Sequence, residues 1–150
     1  HLLAPELQAR QIRTDMEAAG APVTVLADAV ALEQIVHNLL VNALQALEQV
    51  PPGQRELVLS VGESGGTGVL TVRDSGPGVA AEALPRLFEP FFTTRPGGLG
   101  LGLNLCETLA GRMGGQLIAA NHPSRGAVFT LTLPLATPLG DGAAHALNTH

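Results

Sequence analysis

Four stretches of this chain combine amides, an acid or bare glycines at spacings that could do chemistry. The first, EQIVHNLLVNALQAL, sets Gln34, Asn38, Asn42 and Gln45 at i, i+4, i+8 and i+11, which on a helix forms one amide stripe. Asparagine is a poor helix former because its side chain competes for backbone hydrogen bonds. One such residue reads as part of a solvated face; two at this spacing need another reason. A neutral amide oxygen is a hard ligand suited to Mg²⁺, which usually keeps several waters and takes its remaining oxygens from substrate phosphates. The second stretch, RDSGPGV, puts Asp74 at the end of an expected strand, before Gly76 and Gly78. As a turn it needs no ligand, since Asp, Gly and Pro dominate turns. As a site, its carboxylate would accept a hydrogen bond from a ring amine while bare backbone admits a flat base.

The third and fourth stretches, LFEPFFTTRP and GGLGLGL, adjoin each other. Three of the chain's four phenylalanines, Phe88, Phe91 and Phe92, fall in the former. Gly98, Gly100 and Gly102 open an expected helix, whose free N–H groups and positive end suit a phosphate. The phenylalanines would anchor a mobile flap from which Arg95 reaches a terminal phosphate; a merely flexible connection is the simpler reading of the same glycines. The spacing is not the G-x-G-x-x-G of a dinucleotide fold, and no G-K-[ST] phosphate loop exists in a chain whose eight basic residues are all arginine.

These stretches need a scaffold, and 150 residues suffice for one domain with an ordinary core. A linker over 1–10 leads into two extended segments, QIRTDM and PVTVLA, with AAGAP as the turn between them. A long helix follows, with Asp28 as N-cap and apolar residues from Leu32 to Leu47 at helical spacing until PPG at 51–53. ELVLSVGE and GVLTVRD read as a hairpin across SGGTG, and QLIAAN and AVFTLTL as another across HPSRG. Between the hairpins lie a short helix over about 80–88 and a full helix over about 101–113, closed by Gly114 and Gly115. Residues 135–150 lose periodicity and read as a flexible tail. The fold class expected is α/β (α+β): a two-layer sandwich with a mixed sheet of about five strands, covered on one face by three helices.

The net charge of −5 offers no basic stripe for a nucleic-acid backbone. No apolar run reaches the roughly 20 residues of a membrane span, and no leader pattern opens the chain, so a cytoplasmic location is expected. The lone cysteine, Cys106, lies in an apolar helical pattern and is expected to be buried and inert.

Taken together and in order, the four stretches resemble the ATP-binding domain of bacterial sensor histidine kinases, within the GHKL (Bergerat-fold) superfamily of gyrase-type, chaperone and mismatch-repair ATPases. HNLLVNALQAL is similar to the N box, DSGPG to the first glycine box, LFEPFFTT to the phenylalanine box, GLGLGL to the second glycine box and GAVFTLTLP to the closing strand. The resemblance covers residues 1–134, and the EPFFTT form is nearest to nitrogen-regulation and dicarboxylate-sensing kinases. It implies Mg²⁺ on Asn42, Asn38 on the triphosphate side, the adenine amine on Asp74, the base over Gly76 and Gly78, and phosphates against Gly98, Gly100 and Gly102. The flap from Thr93 to Gly98 would be a short ATP lid. Arg95 stands where lysine is common, and GAVF where GTxF is common.

Relatives that hydrolyse ATP or phosphorylate serine carry a glutamate base four residues before the metal asparagine. Asn38 occupies that position and cannot take a proton. A neutral imidazole acceptor is already nucleophilic, so Asn38 favours transfer to histidine. The family's acceptor histidine has an acidic neighbour, which His1, His37, His122, His145 and His150 lack. His37 is read either as orienting a neighbour of the amide stripe or as an ordinary surface histidine. The chain is therefore expected to be the catalytic part of a longer kinase, unable to phosphorylate itself alone. Its cofactors would be ATP and Mg²⁺, and its partners its own dimerisation domain in the full-length homodimer and a response regulator. The full-length kinase could be membrane-anchored. A serine-directed anti-sigma kinase, a small ATPase of the same fold and a module that binds no nucleotide stand as alternatives.

Overall fold

The computed structural model of the chain describes residues 12–18, 23–90, 92, 102–136 and 144–146. Its centre is a five-stranded sheet in the order β1-β3-β4-β6-β5, formed by β1 (Arg13–Ala18), β3 (Glu56–Ser64), β4 (Thr67–Asp74), β5 (Gln116–Asn121) and β6 (Ala127–Pro134). Both expected hairpins form, β3 with β4 and β5 with β6, and β4 also pairs antiparallel with β6. Only β1 is parallel to its neighbour, β3. A parallel pair needs a long crossover, and here it contains helix α1 (Ala29–Leu47). The sheet is mixed, as the two-hairpin pattern required.

Helix α1 starts where expected. Asp28 has extended backbone and its Oδ2 accepts the Ala31 N–H at 3.2 Å, satisfying one orphan donor of the first turn. Pro51 and Pro52 follow its end, where no helix can continue. Its buried side is Leu32, Ile35, Leu39, Ala43 and Leu47, all at helical spacing. On the sheet, Leu57, Leu59 and Val61 of β3 meet Leu70 and Val72 of β4 and Phe129, Leu131 and Leu133 of β6 in the same core, while the alternate positions are half-exposed. Period-two burial on these three strands means that one sheet face is covered. The covering layer is α1 and helix α2 (Gly102–Arg112), which pack on each other, with α1 against β4 and α2 against β5. Truncating a fully buried leucine such as Leu39 would cost about 2–5 kcal/mol in such a core.

Two expectations are corrected. Residues 80–88 form turns and a 3₁₀ helix, Leu84–Arg86, and not a third α-helix. Pro85 donates no N–H, so its i→i−4 bond is missing and i→i−3 bonds such as Arg86 N–H to Ala83 O close the segment. The two extended segments near the start both form, but in different sheets. β2 (Thr24–Leu26) pairs antiparallel with β7 (Ala144–Ala146), and Leu135 bridges to Val25. Strand β7 lies where a flexible tail was expected, because three residues are too few to show alternation. Among the described residues, no helix is long and apolar enough to cross a membrane.

Candidate nucleotide site

Helix α1 carries one row of residues on the flank of its buried face: Asn38, Asn42 and Ala46, spaced four apart. At one end of the row, the Asn38 amide lies 4.0 Å from where a Cβ on Gly102 would stand, so it faces the bare first residue of α2. At the other end, a Cβ on Gly76 would come within 3.1 Å of the Ala46 side chain and carbonyl. The row therefore runs from the second glycine stretch to the first, over about 12 Å at 1.5 Å per residue. Asn42 sits midway and is half-buried. Gln34 and His37 are exposed, while Gln45, like the two asparagines, is half-buried.

Asp74 is the last residue of β4. Alternation along that strand turns Leu70, Val72 and Asp74 inward and Arg73 outward, where Arg73 meets Glu56 at 3.5 Å. A carboxylate thus ends an apolar row, and it is 2% exposed. Its Oδ1 accepts the Gly76 N–H at 2.8 Å and the Ala127 N–H at 3.4 Å. Among the described residues its Oδ2 accepts nothing. Burial pushes the Asp74 carboxyl above the ordinary carboxylate range, while the Gly76 and Ala127 N–H groups and the Arg73 charge pull it down. A buried acceptor without a donor is costly, and a ligand N–H is the group that would satisfy it.

Glycine is required at both positions of the first glycine stretch, for different reasons. A Cβ on Gly76 would lie 2.8 Å from Asp74 Oδ1, displacing the N–H contact that holds the carboxylate. Gly78 has φ of +78°, and a Cβ there would lie 2.9 Å from Asn121 Oδ1. Gly78 is thus kept bare by the β5–β6 side of the loop. The same side packs from Gly126, where a Cβ would occupy the place of the Asp74 carbonyl.

The loop's supports were missed in the sequence. Ser75 Oγ accepts the Glu56 N–H at 2.8 Å and donates to Gln54 O at 2.9 Å, and Arg125 Nε donates to Ser75 O at 2.9 Å. Asn121 holds Val79 through two bonds. Asn104 on α2 donates to Phe88 O at 3.0 Å, tying the phenylalanine stretch to the start of α2. Cys106 is fully buried; burial raises its thiol, and the Asn38 side chain beside it lowers it. Of these, only the polar turn HPSRG left a trace in the sequence, since the other contacts join segments far apart along the chain.

Arg95, Gly98, Gly100, Phe91 and the Thr93–Gly98 flap lie outside the described residues. A separate groove of about 410 Å³, between the 84–88 turn, α2 and the outer edge of β5, contains none of the predicted site residues. Its lining is mostly apolar, with Glu107 and Gln116 as its polar side chains. Among the described residues, no three acidic, His or Cys side chains cluster to hold a metal unaided. A single amide oxygen fits a cation that draws most of its ligands from phosphates and water.

Known proteins give this geometry its context. The chain is 41% identical over 140 residues to the C4-dicarboxylate transport sensor protein DctB of Pseudomonas aeruginosa, covering 91% of this chain and 22% of that protein. It is 34% identical over 135 residues to the sensor histidine kinase ZraS of Escherichia coli, covering 89% of this chain and 28% of that protein. It thus spans about a quarter of the length of these relatives. Among solved structures, the nucleotide-free catalytic domain of the histidine kinase ThkA superposes with a TM-score of 0.79 at 27% identity, over 89% of this chain and 85% of that one. The complex of ThkA with the response regulator TrrA matches with a TM-score of 0.73 at 25% identity, over 89% of this chain and 37% of that one. Residues 27–137 match the family described as histidine kinase-, DNA gyrase B-, and HSP90-like ATPase, and the chain belongs to that family.

Proposed function

We propose that this domain binds ATP with Mg²⁺ and donates the γ-phosphoryl group to a histidine on a dimerisation domain outside this chain, in two-component signalling. The observation that carries the proposal is the α1 row. It joins a buried, half-satisfied carboxylate at one end to the bare start of a helix at the other, with a neutral amide between them.

The adenine amine donates to Asp74 Oδ2, and the base lies against the Gly76 loop. The triphosphate runs along α1 toward Gly102; Gly98, Gly100 and Arg95, which lie outside the described residues, are proposed as further phosphate contacts on the strength of the sequence. Asn42 would hold Mg²⁺, which would supply charge neutralisation on the phosphates. Asn38 lies on the triphosphate side. In the transfer, the bond from Pγ to the β–γ bridging oxygen breaks as the histidine nitrogen bonds to Pγ, and ADP leaves. The chain contributes position and charge complementarity and no proton acceptor, since Asn38 has none to offer. The domain works in the cytoplasm, and a response regulator takes the phosphoryl group next.

The test is incubation of the full-length protein, or of this chain with its adjoining histidine-bearing segment, with γ-labelled ATP. The proposal expects acid-labile label on that segment and none on this domain. Acid-stable label on serine would make it a serine-directed kinase. Free phosphate production that Asn38→Ala abolishes would make it an ATPase.

A further inference from the structure

The Asp74 carboxylate is held by its own loop, so whatever fixes that loop fixes the base site. Ser75 ties the near end of the loop to Glu56 and Gln54. At the far end, the half-buried Val79 packs against the core, and one side chain bonds its backbone. Asn121, the last residue of β5, accepts the Val79 N–H on Oδ1 at 2.8 Å and donates from Nδ2 to Val79 O at 2.7 Å. An amide that both accepts from and donates to one residue's backbone ties down the peptide units on either side of that residue. Between the two ties only Gly76, Pro77 and Gly78 remain, two of which have the weakest backbone preferences of any residue.

We infer that Asn121 is a positioning residue for base recognition: it clamps Val79 so that the Gly76–Gly78 loop keeps the Asp74 carboxylate aimed at the ring amine. This rests on the nucleotide reading of the Asp74 site. Asn121 itself is exposed and lies at the end of the β5–β6 ladder, where it pairs with Ala127. Its side chain contributes nothing to the core. Removing it should loosen the loop and leave the sheet intact. The affected quantity is discrimination between bases, because the phosphate end of the site lies at the opposite end of the α1 row. Adenine presents an amine where guanine presents a carbonyl oxygen. A loop free to shift loses the gain from the amine, while a guanine nucleotide, bound through its phosphates, loses little.

The experiment compares wild type, Asn121→Ala and Asn121→Asp in this chain, by calorimetric titration with ATP and GTP in Mg²⁺ and by hydrogen exchange at Val79. For Asn121→Ala, ATP affinity should fall about fivefold to tenfold, as expected for two exposed hydrogen bonds. GTP affinity should hold within about twofold, and Val79 exchange should accelerate. Asn121→Asp, which keeps the acceptor and loses the donor, should fall between the two. Equal losses for ATP and GTP, or an unchanged ratio, would overturn the inference, as would unchanged Val79 exchange even in a protein that binds ATP. Faster Val79 exchange in a wild-type background that binds no ATP would uphold the clamp as a loop device, and would refute the nucleotide reading and the role in base recognition with it.

Discussion

Replacing Asp74 by Asn should separate binding from folding. The substituted amide keeps an oxygen that can accept the Gly76 and Ala127 N–H groups, so the loop retains its internal bonds. Its other atom becomes an NH₂ group facing the adenine amine, donor against donor. The lost bond to a buried charged acceptor is worth about 1.5–3 kcal/mol, and the stranded amine adds to it. A loss of about 3 kcal/mol corresponds to roughly a hundredfold weaker ATP binding. The fold should move the other way. Burial holds the Asp74 carboxyl above its ordinary range, so in the native state it binds protons more readily than in the unfolded chain. Between the unfolded and folded values the native state carries more proton, and stability falls as pH rises through that window. Above the window the penalty is fully present. Asp74→Asn removes it, so the variant should melt at or above the wild-type temperature at neutral pH, with the difference shrinking on acidification. Calorimetric ATP titration and thermal melts between pH 4 and 8 measure both effects. ATP affinity within threefold of wild type, or a melting difference that ignores pH, would refute the reasoning.

Other substitutions probe other links. Gly126→Ala should leave little folded protein, because a Cβ there meets the Asp74 backbone at a φ of +89°; circular dichroism with native yield is the check, and near-wild-type melting would contradict the packing. Leu39→Ala, one residue from Asn38 but facing the core, should lower stability by about 2–5 kcal/mol in denaturant titration, with ATP affinity changed little under conditions where the variant is folded. Asn104→Ala should weaken ATP binding a fewfold by releasing Phe88 from α2, and an unchanged affinity would limit that bond to a structural role.

The candidate site residues stood out in the sequence because they break local rules. Two asparagines inside a helix and an acid where β4's alternation demands an apolar residue are conflicts that a sequence displays openly. The core helices and both hairpins were equally legible, since period and turn chemistry agreed over six residues or more. What escaped was set by contacts across the chain. Asn121, Ser75 and Arg125 look like ordinary polar residues at strand ends and turns; only their placement beside the 74–79 loop gives them work. Gly78 was read as bare for the base, and the structure adds a nearer reason in the Asn121 side chain and the positive φ. A short helix was expected over about 80–88, and Pro85 limits it to turns and a 3₁₀ helix. Strands β1 and β2 were recognised one at a time, but which sheet each joins depends on β3 and β7, and no local pattern encodes that choice.

The central claim is that the α1 row spans a nucleotide from Asp74 to Gly102, with Mg²⁺ on Asn42. Calorimetric titration of this chain with ATP, with and without Mg²⁺, in wild type and Asn42→Ala, tests it most directly. The account predicts saturable one-to-one binding that Mg²⁺ strengthens, and a variant that still binds ATP but has lost most of the Mg²⁺ enhancement. Binding that Mg²⁺ leaves unchanged, or an enhancement that survives in Asn42→Ala, would contradict it.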